Sequence, residues 1–335
     1  MVKPPLLNRD RETDHVATIP NVKVVVIVSA GRSGSTLLDM LLGSVDGFFS
    51  GGELRYLWER GLIAERRCGC GRRVAECEVW SHALSAPTLV ELDPAEVVRW
   101  QHLLARVRHT RQLLDAAHET RHDPRLQQLI DAMSVLYKEL GRVTACRVIV
   151  DSSKRPSDAA LAALLPGVDT YVVHLVRDPR AVAYSWRRRK EDFDHELRPQ
   201  MERRRIIRSA IDWLWLNAAA SGIPRRAPGV RFLDVRYEDV IEHPTDSLGR
   251  ILAFVGEGDA TPHVHDDVAR LAPNHTLSGN PGRFSTGDVR LRVDEEWRGA
   301  MKATSWLLVT ALTAPVIRRY GYDLGAGAPW SRHRR

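Results

Sequence analysis

The chain contains 335 residues, 49 of them basic and 42 acidic, and its formal net charge is +7 at pH 7. A chain of this length can bury a large core, and we expect one domain with an insertion. The positive charge suits a polyanionic ligand, although it suits nucleic acid or an anionic membrane surface equally well. No stretch reaches the roughly 20 apolar residues of a membrane span, which argues against stable membrane insertion. Together with four cysteines and no signal-peptide pattern, this predicts a cytoplasmic protein.

The first predicted elements lie in Val22–Leu42, after a polar, proline-bearing segment, residues 1–20, that we expect to be a flexible tail. Val24–Val28 is too uniformly apolar for a strand with one wet face. It therefore predicts a buried parallel strand that opens an α/β fold. A loop of small residues follows the strand, and the sequence then continues as an amphipathic helix.

The loop between this strand and helix has the features of an anion-binding site. Its glycines permit unusual backbone conformations, the free N–H groups of the helix start attract an anion, and Arg32 adds positive charge. A glycine- and serine-rich turn that binds nothing is the alternative. The residues that we predict to bind a phosphate or sulfate are Gly31, Arg32, Ser33, Gly34, Ser35 and Thr36.

The nucleotide-triphosphatase motif GxxxxGK[ST] does not fit this loop, because Gly34 is followed directly by Ser35 and the lysine is missing. The loop resembles instead the [KR]-x-G-[ST]-[ST] loop that binds the 5′-phosphosulfate in the sulfotransferase superfamily. This resemblance implies an α/β, P-loop-like three-layer α/β/α fold with a central parallel sheet and a helical insertion. It also implies 3′-phosphoadenosine-5′-phosphosulfate (PAPS) as co-substrate, adenosine 3′,5′-bisphosphate as product and no required metal.

A glutamate follows the next predicted turn. Gly51 and Gly52 predict this turn, and Glu53 is expected to open a helix, where an acidic side chain often does no more than interact favourably with the helix dipole. In several sulfotransferase branches, however, a glutamate at this distance from the phosphate loop is the base that acts on the acceptor. The resemblance thus makes Glu53 the candidate general base.

Three cysteines, Cys68, Cys70 and Cys77, lie in a loop that resembles a segment of bacterial sulfotransferases. A zinc site would need a fourth ligand, for which His82 is the nearest candidate. The CxC spacing is tighter than the usual C-x₂₋₄-C pair. We therefore expect a reduced structural loop near the acceptor pocket rather than a metal site.

Two stripes of apolar residues at helical spacing follow between Pro94 and Leu140, and Asp123-Pro124 predicts a helix start between them. We interpret residues 64–140, the cysteine loop and these helices, as an insertion on the acceptor side. Two packing helices with no role in selectivity are an equally good interpretation, because apolar stripes usually face a core.

A second buried strand is predicted at Cys146–Val150, and Lys154 follows it. The carboxyl ends of parallel strands line the ligand crevice of open α/β sheets, so a cation at this position can reach a ligand. The sulfotransferase superfamily places a lysine here that helps to neutralise the sulfuryl group. A solvated loop lysine is the alternative.

Thr170–Trp186 repeats the strand-to-helix pattern, with Asp178 as predicted helix cap and Pro179 at the first helical position. Arg177 and Ser185 are eight residues apart, which is the spacing of the superfamily's 3′-phosphate segment. A guanidinium and a hydroxyl can both bind the oxygens of a terminal phosphate. This second match to the sulfotransferase superfamily supports the resemblance of the loop at residues 31–36 to the same superfamily.

The C-terminal part adds two weaker candidates. Tyr237 follows a predicted strand, Val230–Val235, in a segment that resembles the superfamily's [FR]-Y-E-D motif and lies near the nucleotide. Asn274–Phe284 interrupts a helical region and looks like the superfamily's nucleotide-covering loop, in which Arg283 is either a 3′-phosphate ligand or solvated. Terminal helices and a tail, residues 326–335, are expected after it.

The resemblance extends over nearly all of the predicted domain, residues 21–325, and implies a mechanism. Glu53 takes a proton from a hydroxyl or amine of a small-molecule, glycan or lipid acceptor, while Arg32, Lys154 and the loop N–H groups stabilise the growing charge. We expect no nucleic-acid partner, and the sequence does not specify an oligomeric state. A P-loop kinase-like phosphotransferase and a non-catalytic nucleotide-binding protein are the alternative functions.

Overall fold

The computed structural model describes residues 21–116, 123–188 and 202–325. The predicted tails, residues 1–20 and 326–335, lie outside the described residues. The strands are β1 (Val22–Ser29), β2 (Phe48–Gly52), β3 (Val148–Lys154), β4 (Val168–Val176), β5 (Arg231–Arg236), β6 (Val264–His265), β7 (Val268–Leu271) and β8 (Gly287–Arg290). The helices are α1 (Ser35–Gly43), α2 (Glu78–Leu84), α3 (Pro87–Val90), α4 (Pro94–Leu104), α5 (Thr110–Ala116), α6 (Pro124–Thr144), α7 (Pro156–Ala162), α8 (Pro179–Ser185), α9 (Ile206–Ala220), α10 (Ile223–Arg226), α11 (Tyr237–Glu242), α12 (Pro244–Phe254), α13 (Glu296–Ala300) and α14 (Ala303–Ile317).

A five-stranded parallel sheet in the order β2-β3-β1-β4-β5 forms the centre of the molecule. The central strand β1 is fully buried from Val24 to Val28. Its side chains alternate: Val24 and Val26 enter a core with α4 and α6, whereas Val25 and Ile27 enter a second core with α1 and α12. Helices therefore cover both faces of the sheet, and the predicted three-layer α/β/α fold with a parallel sheet is confirmed.

Three helices begin with the same combination of residues, an aspartate followed by proline. The carboxylates of Asp93, Asp123 and Asp178 each accept a hydrogen bond from the backbone N–H group two residues later, and proline occupies the first helical position. The proline lacks an N–H group, and the carboxylate satisfies one of the free donors of the first turn. The helix starts predicted at Asp123 and Asp178 are confirmed.

Helices α2, α4 and α6, which lie within residues 78–116 and 123–144, pack on one face of the sheet. Trp80, Trp100, Leu129 and Leu136 are all buried in the core beneath α2, α4 and α6. Helix α6 packs against β1, β3 and β4. This packing agrees with the interpretation of the apolar stripes as core-facing helices.

None of the described helices combines the length and the apolarity needed to cross a lipid bilayer.

Two regions differ from the sequence-based predictions. The predicted turn at Gly51 and Gly52 is the end of edge strand β2, and the residues after Glu53 form a 3₁₀ turn and a short π-helix instead of an α-helix. The region of Asn274–Phe284 is flanked by the antiparallel strands β6 to β8 and not by helices. Strand β2 is rich in glycine, so its conformation depends on backbone pairing with the distant strand β3, whereas β6 to β8 are short strands that pair with one another.

Candidate active site

A cavity of about 790 Å³ opens at the carboxyl ends of β1, β3, β4 and β5. Its volume lies within the range of about 300–1,000 Å³ that is typical of ligand pockets. Among the described residues that line it, cationic side chains outnumber acidic ones, which favours an anionic ligand. The basic residues are Arg32, Arg60, Arg66, Lys154, Arg155, Arg177 and Arg204, and the acidic ones are Glu53, Glu202 and Asp294.

The predicted phosphate loop forms the floor of this cavity. Gly31, Arg32, Gly34, Ser35 and Thr36 line it, whereas Ser33 is buried below the surface of the loop. Helix α1 begins at Ser35 and directs its first N–H groups to this side.

Gly34 cannot be replaced by a larger residue without a change of structure. Its φ of 90° lies in the left-handed region, and a Cβ atom built on it would lie 2.4 Å from the ring of Tyr237. The ring of Tyr237 therefore packs directly against the loop backbone, which connects the predicted nucleotide ligand Tyr237 to the phosphate loop.

Two of the proposed catalytic cations have a strained backbone. Arg32 has φ 72° and Lys154 has φ 76°, and Ser278 in the facing loop has φ 58°. Residues other than glycine rarely adopt these values, and such strain is concentrated at functional sites. The guanidinium of Arg32 lies 5.0 Å from the ring centroid of Trp186, whose Nε1 donates a hydrogen bond of 3.1 Å to the carbonyl of Gly31.

Glu53 is buried and contacts two cations. Lys154 forms an ion pair and hydrogen bond with its Oε1, and Nη1 of Arg60 lies 3.5 Å from its Oε2. Burial alone would raise the pKa of Glu53, but the charges of Lys154 and Arg60 outweigh it and hold the pKa below its ordinary value. The backbone N–H of Glu53 donates a hydrogen bond of 2.7 Å to the carbonyl of Leu277, which fixes the start of this segment.

Arg177, Ser185 and Tyr237 also line the cavity. The guanidinium of Arg177 donates a hydrogen bond of 3.1 Å to the carbonyl of Arg32 and lies 4.4 Å from the ring centroid of Tyr237. Its Nη2 is 3.6 Å from a carboxylate oxygen of Asp294. The two segments that the sequence analysis paired, the phosphate loop and Arg177–Ser185, thus meet at one cavity.

Arg283 occupies a different position from the one predicted. Its side chain is buried, donates a hydrogen bond of 2.8 Å to the carbonyl of Arg67 and packs on the ring of Phe284. It is not among the described residues that line the cavity, in contrast to its neighbours Gly282 and Asn280. In this position the side chain holds the loop against residue 67, and the contact of Arg283 with a 3′-phosphate stays a prediction.

The cavity also contains residues that the sequence analysis did not single out. Arg60 lies 3.7 Å above the ring centroid of Tyr56, and Nη2 of Arg155 donates a hydrogen bond of 2.9 Å to the hydroxyl of Tyr56. Arg155 follows Lys154 directly, so its place at a strand end was a usable signal. In a chain with so many arginines, no sequence signal distinguished Arg60.

From residues 64–140, Arg66 alone of the described side chains reaches the cavity, so the acceptor role of this region stays a prediction.

A sequence model of the Sulfotransferase family matches residues 25–260, which is more than half of the chain. The chain belongs to the sulfotransferase family. The superfamily that the phosphate loop and the Arg177 segment predicted is thereby confirmed.

Comparison with individual proteins gives more distant matches. The chain is 28% identical to human carbohydrate sulfotransferase 3 over 177 residues, which are 49% of this chain and 36% of the human protein. It is 29% identical to mouse carbohydrate sulfotransferase 4 over 178 residues, 47% of this chain and 44% of the mouse protein. The matched part is thus less than half the length of either relative.

Two solved structures cover 91% of this chain. The sulfotransferase domain from the curacin biosynthetic pathway is 17% identical, with 99% of that chain covered and a TM-score of 0.47. The sulfotransferase domain from the Synechococcus PCC 7002 olefin synthase is 21% identical, with 96% of that chain covered and a TM-score of 0.47.

Proposed function

We propose that this sulfotransferase transfers a sulfuryl group from PAPS to a hydroxyl or amine of a small-molecule, glycan or lipid acceptor. The observation that carries the proposal is the convergence of three groups on one cavity. These are the phosphate loop, the pair Arg177 and Ser185, and the ion pair of Glu53 with Lys154. The excess of cations around them supports a ligand that carries several negative charges.

In this proposal the donor spans two anion sites. Its 5′-phosphosulfate lies on the phosphate loop, where the N–H groups of α1 and the side chain of Arg32 bind its oxygens. Its 3′-phosphate lies against Arg177 and Ser185. Tyr237 packs against both the loop and the guanidinium of Arg177, so it fixes the separation of the two sites.

The transfer itself is an in-line displacement at sulfur. Glu53 takes the proton of the acceptor O–H or N–H group, and the acceptor atom forms a bond to sulfur. The bond between sulfur and the bridging oxygen breaks, and its electrons stay on the 5′-phosphate of adenosine 3′,5′-bisphosphate. Arg32 and Lys154 stabilise the charge that grows on this leaving group.

The ion pair suggests an order of events. While Lys154 and Arg60 both neutralise Glu53, its lowered pKa makes it a weak base. Lys154 would exchange this contact for the phosphosulfate when the donor binds, and the carboxylate of Glu53 would then become more basic. Donor binding therefore prepares Glu53 for the acceptor, which limits deprotonation to a cavity that holds the donor.

Binding of adenosine 3′,5′-bisphosphate without magnesium tests the donor site. A ligand that binds only the native state at 100 times its Kd stabilises it by about 2.7 kcal/mol, which appears as a higher melting temperature. No shift at saturating bisphosphate would contradict the proposal, and a shift with ATP that requires magnesium would favour the kinase-like alternative.

An activity screen with labelled PAPS tests the chemistry. The curated relatives named above are carbohydrate sulfotransferases, so sugar hydroxyls come first in the screen, followed by lipids, amines and phenols. Bisphosphate binding without transfer to any acceptor would favour the non-catalytic nucleotide-binding alternative. The cytoplasmic location expected from the sequence stays a prediction.

A further inference from the structure

A second cluster of reactive side chains lies outside the cavity lining. The thiols of Cys68, Cys70 and Cys77 surround the imidazole of His275, and all four potential ligand atoms lie within 4.8 Å of one another. Nδ1 of His275 is 3.2 Å from the Sγ of Cys77 and 3.7 Å from that of Cys68. We call these four residues the cysteine–histidine cluster.

The fourth member of this cluster differs from the histidine that the sequence favoured. His82 is near the cysteines in the chain, but the structure brings His275 to them from a segment 207 residues beyond Cys68. The fourth ligand that a zinc site needs is therefore supplied by His275 and not by His82.

The arrangement suits a tetrahedral metal ion. Zinc bonds of about 2.3 Å to sulfur and about 2.0 Å to nitrogen place tetrahedral ligand atoms roughly 3.5 to 3.8 Å apart. The distances from Nδ1 of His275 to the sulfurs of Cys77 and Cys68, 3.2 and 3.7 Å, are close to that range. Three thiolates and one imidazole are a ligand set of structural zinc sites, and the protein supplies all four ligands, so no position is left open for a substrate.

The backbone around the cluster is already organised for such a site. The carbonyl of Cys68 accepts a hydrogen bond of 2.8 Å from the N–H of Gly71, and this tight turn presents Cys68 and Cys70 to the same point. Nε1 of Trp80 donates a hydrogen bond of 2.9 Å to the carbonyl of His275, which holds the histidine segment in place. A disulfide between Cys68 and Cys77 would account for two of the four residues only.

We propose that Cys68, Cys70, Cys77 and His275 bind one structural zinc ion. This goes beyond sulfuryl transfer, for which we expect no metal. The ion would join the loop of residues 68–77 to the segment that begins at residue 274.

The joined segment also supports the candidate base. Leu277, two residues after His275, forms bridges with both Gly52 and Cys68. Its carbonyl accepts the N–H of Glu53 at 2.7 Å, and its N–H donates to the carbonyl of Gly51 at 3.0 Å. The zinc ion would thus stabilise the backbone that positions Glu53, without contact to the substrate.

Metal analysis of the full chain, purified without chelators and with zinc in the growth medium, tests the site directly. We expect about one zinc per chain by mass spectrometry. Replacement by Co²⁺ should give a thiolate-to-cobalt charge-transfer band and the intense visible bands of a tetrahedral site. These readouts do not require any transferase activity, so they do not depend on the proposed function.

Single substitutions identify the ligands. Cys70→Ser and His275→Gln should each lower zinc affinity by more than about 100-fold, because even changes outside the ligand shell cost about 10- to 100-fold. The matched controls are Cys146→Ser and His82→Gln, which remove a cysteine and a histidine outside the cluster and should keep one zinc per chain. Cys70 is exposed, so its variant should fold even where His275→Gln does not.

Three outcomes would overturn the proposal. The first is a natively folded wild-type chain that binds neither zinc nor cobalt while its cysteines are reduced. The second is a disulfide between Cys68 and Cys77 in protein produced with zinc. The third is full zinc retention by Cys70→Ser and His275→Gln, or loss of zinc in the His82→Gln control.

Discussion

At the scale of single residues, Glu53 combines two opposing influences on its basicity. Burial raises the pKa of its carboxyl group, and the ion pairs with Lys154 and Arg60 lower it further than burial raises it. A buried carboxylate between two cations is a poor base until one of the cations pairs with another anion instead. The proposed role of Glu53 therefore depends on Lys154 as much as on Glu53 itself.

We predict that Glu53→Gln lowers turnover by about 10²- to 10⁴-fold, the usual contribution of a general base, and leaves the Kd of adenosine 3′,5′-bisphosphate nearly unchanged. Glutamine has the size of glutamate but no basicity. The measurements are kcat with an aliphatic alcohol acceptor and calorimetric binding of the bisphosphate. A phenol would hide the effect, because its low pKa lessens the need for a base.

The matched control is Glu59→Gln, which makes the same exchange in the adjacent helical segment, outside the cavity lining. Glu59 is half-buried and does not line the cavity, so this variant should change turnover by less than about twofold. A loss of less than about tenfold in Glu53→Gln would place the base elsewhere. The other described carboxylates of the cavity are those of Glu202 and Asp294.

Arg177 gives a second test at this scale. We predict that Arg177→Ala weakens binding of adenosine 3′,5′-bisphosphate by about 1.5 to 3 kcal/mol, the contribution of one hydrogen bond to a charged group. Binding of adenosine 5′-phosphate should change much less, because it lacks the 3′-phosphate. Calorimetric titration of both nucleotides against wild type and variant measures the difference.

Arg188→Ala is the control for general loss of positive charge. Arg188 also pairs with Asp294, at 3.1 Å, but it does not line the cavity. It should affect the two nucleotides equally and weakly. Equal losses for both nucleotides in Arg177→Ala would show that Arg177 does not bind the 3′-phosphate.

At the scale of elements, the end of β2 is tightly constrained by the backbone of Leu277. Gly52 has φ 73°, and a Cβ atom built on it would lie 2.4 Å from the carbonyl oxygen of Leu277. We predict that Gly52→Ala lowers the free energy of unfolding by about 3 kcal/mol or more, the sum of left-handed strain and overpacking. Urea denaturation measures this change.

Gly287→Ala separates the two contributions. Gly287 has a similar φ of 80°, but nothing lies within 4 Å of the Cβ atom that alanine would add. Gly287→Ala should therefore lower the free energy of unfolding by about 1 to 2 kcal/mol, from strain alone. Similar losses for the two variants would mean that the approach of Leu277 does not constrain β2.

The elements differ in how well the sequence predicts them. The apolar run Val24–Val28 and the Asp-Pro starts at Asp123 and Asp178 carry local signals that depend on no distant partner, and these predictions are confirmed. Strand β2 was missed because Gly51 and Gly52 have low strand propensity. Their conformation comes from pairing with β3 and Leu277, which the local sequence does not encode.

The same distinction applies to the site. Arg32, Lys154 and Arg177 were predictable, because each follows a buried strand whose end must face the ligand crevice. Arg60 comes from an irregular helical segment with no such signal. His275 was missed since its neighbours in space are far away in the chain.

At the scale of the whole molecule, two buried carboxyl groups predict how the free energy of unfolding depends on pH. Burial raises the pKa of Asp39 in α1 to about 8, and burial likewise raises that of Asp151 in β3 to about 6. Both lie above the ordinary value, so the folded state binds protons more tightly than the unfolded state. The stability that these groups contribute is therefore fully present below about pH 4, and it is lost between about pH 4 and 6 for Asp151 and between about pH 4 and 8 for Asp39.

We predict that Asp39→Asn flattens the fall in stability between pH 6 and pH 8, because the amide has no proton to lose. It can still accept the hydrogen bond that Ser50 donates to Asp39. The wild-type free energy of unfolding should fall by up to about 1.4 kcal/mol per pH unit in this interval, from Asp39 alone, because Asp151 has already lost its proton near pH 6. Urea denaturation at pH 6 and pH 8 measures both profiles.

Asp46→Asn, the same exchange at an exposed position, should leave the wild-type profile unchanged. Parallel pH profiles for wild type and Asp39→Asn would show that Asp39 is not the group that loses its proton in this interval.

The pairing of Leu277 with Gly52 and Cys68 has a consequence for the order of folding. During synthesis, β2 and the cysteine loop leave the ribosome long before the segment that covers them, because Cys68 and His275 are 207 residues apart. Contacts at such separation form slowly, and the outer edge of β2 stays unpaired until they do. A nascent chain that ends before residue 274 would expose this edge to other chains, so chaperone demand should be highest just before the last part of the chain emerges.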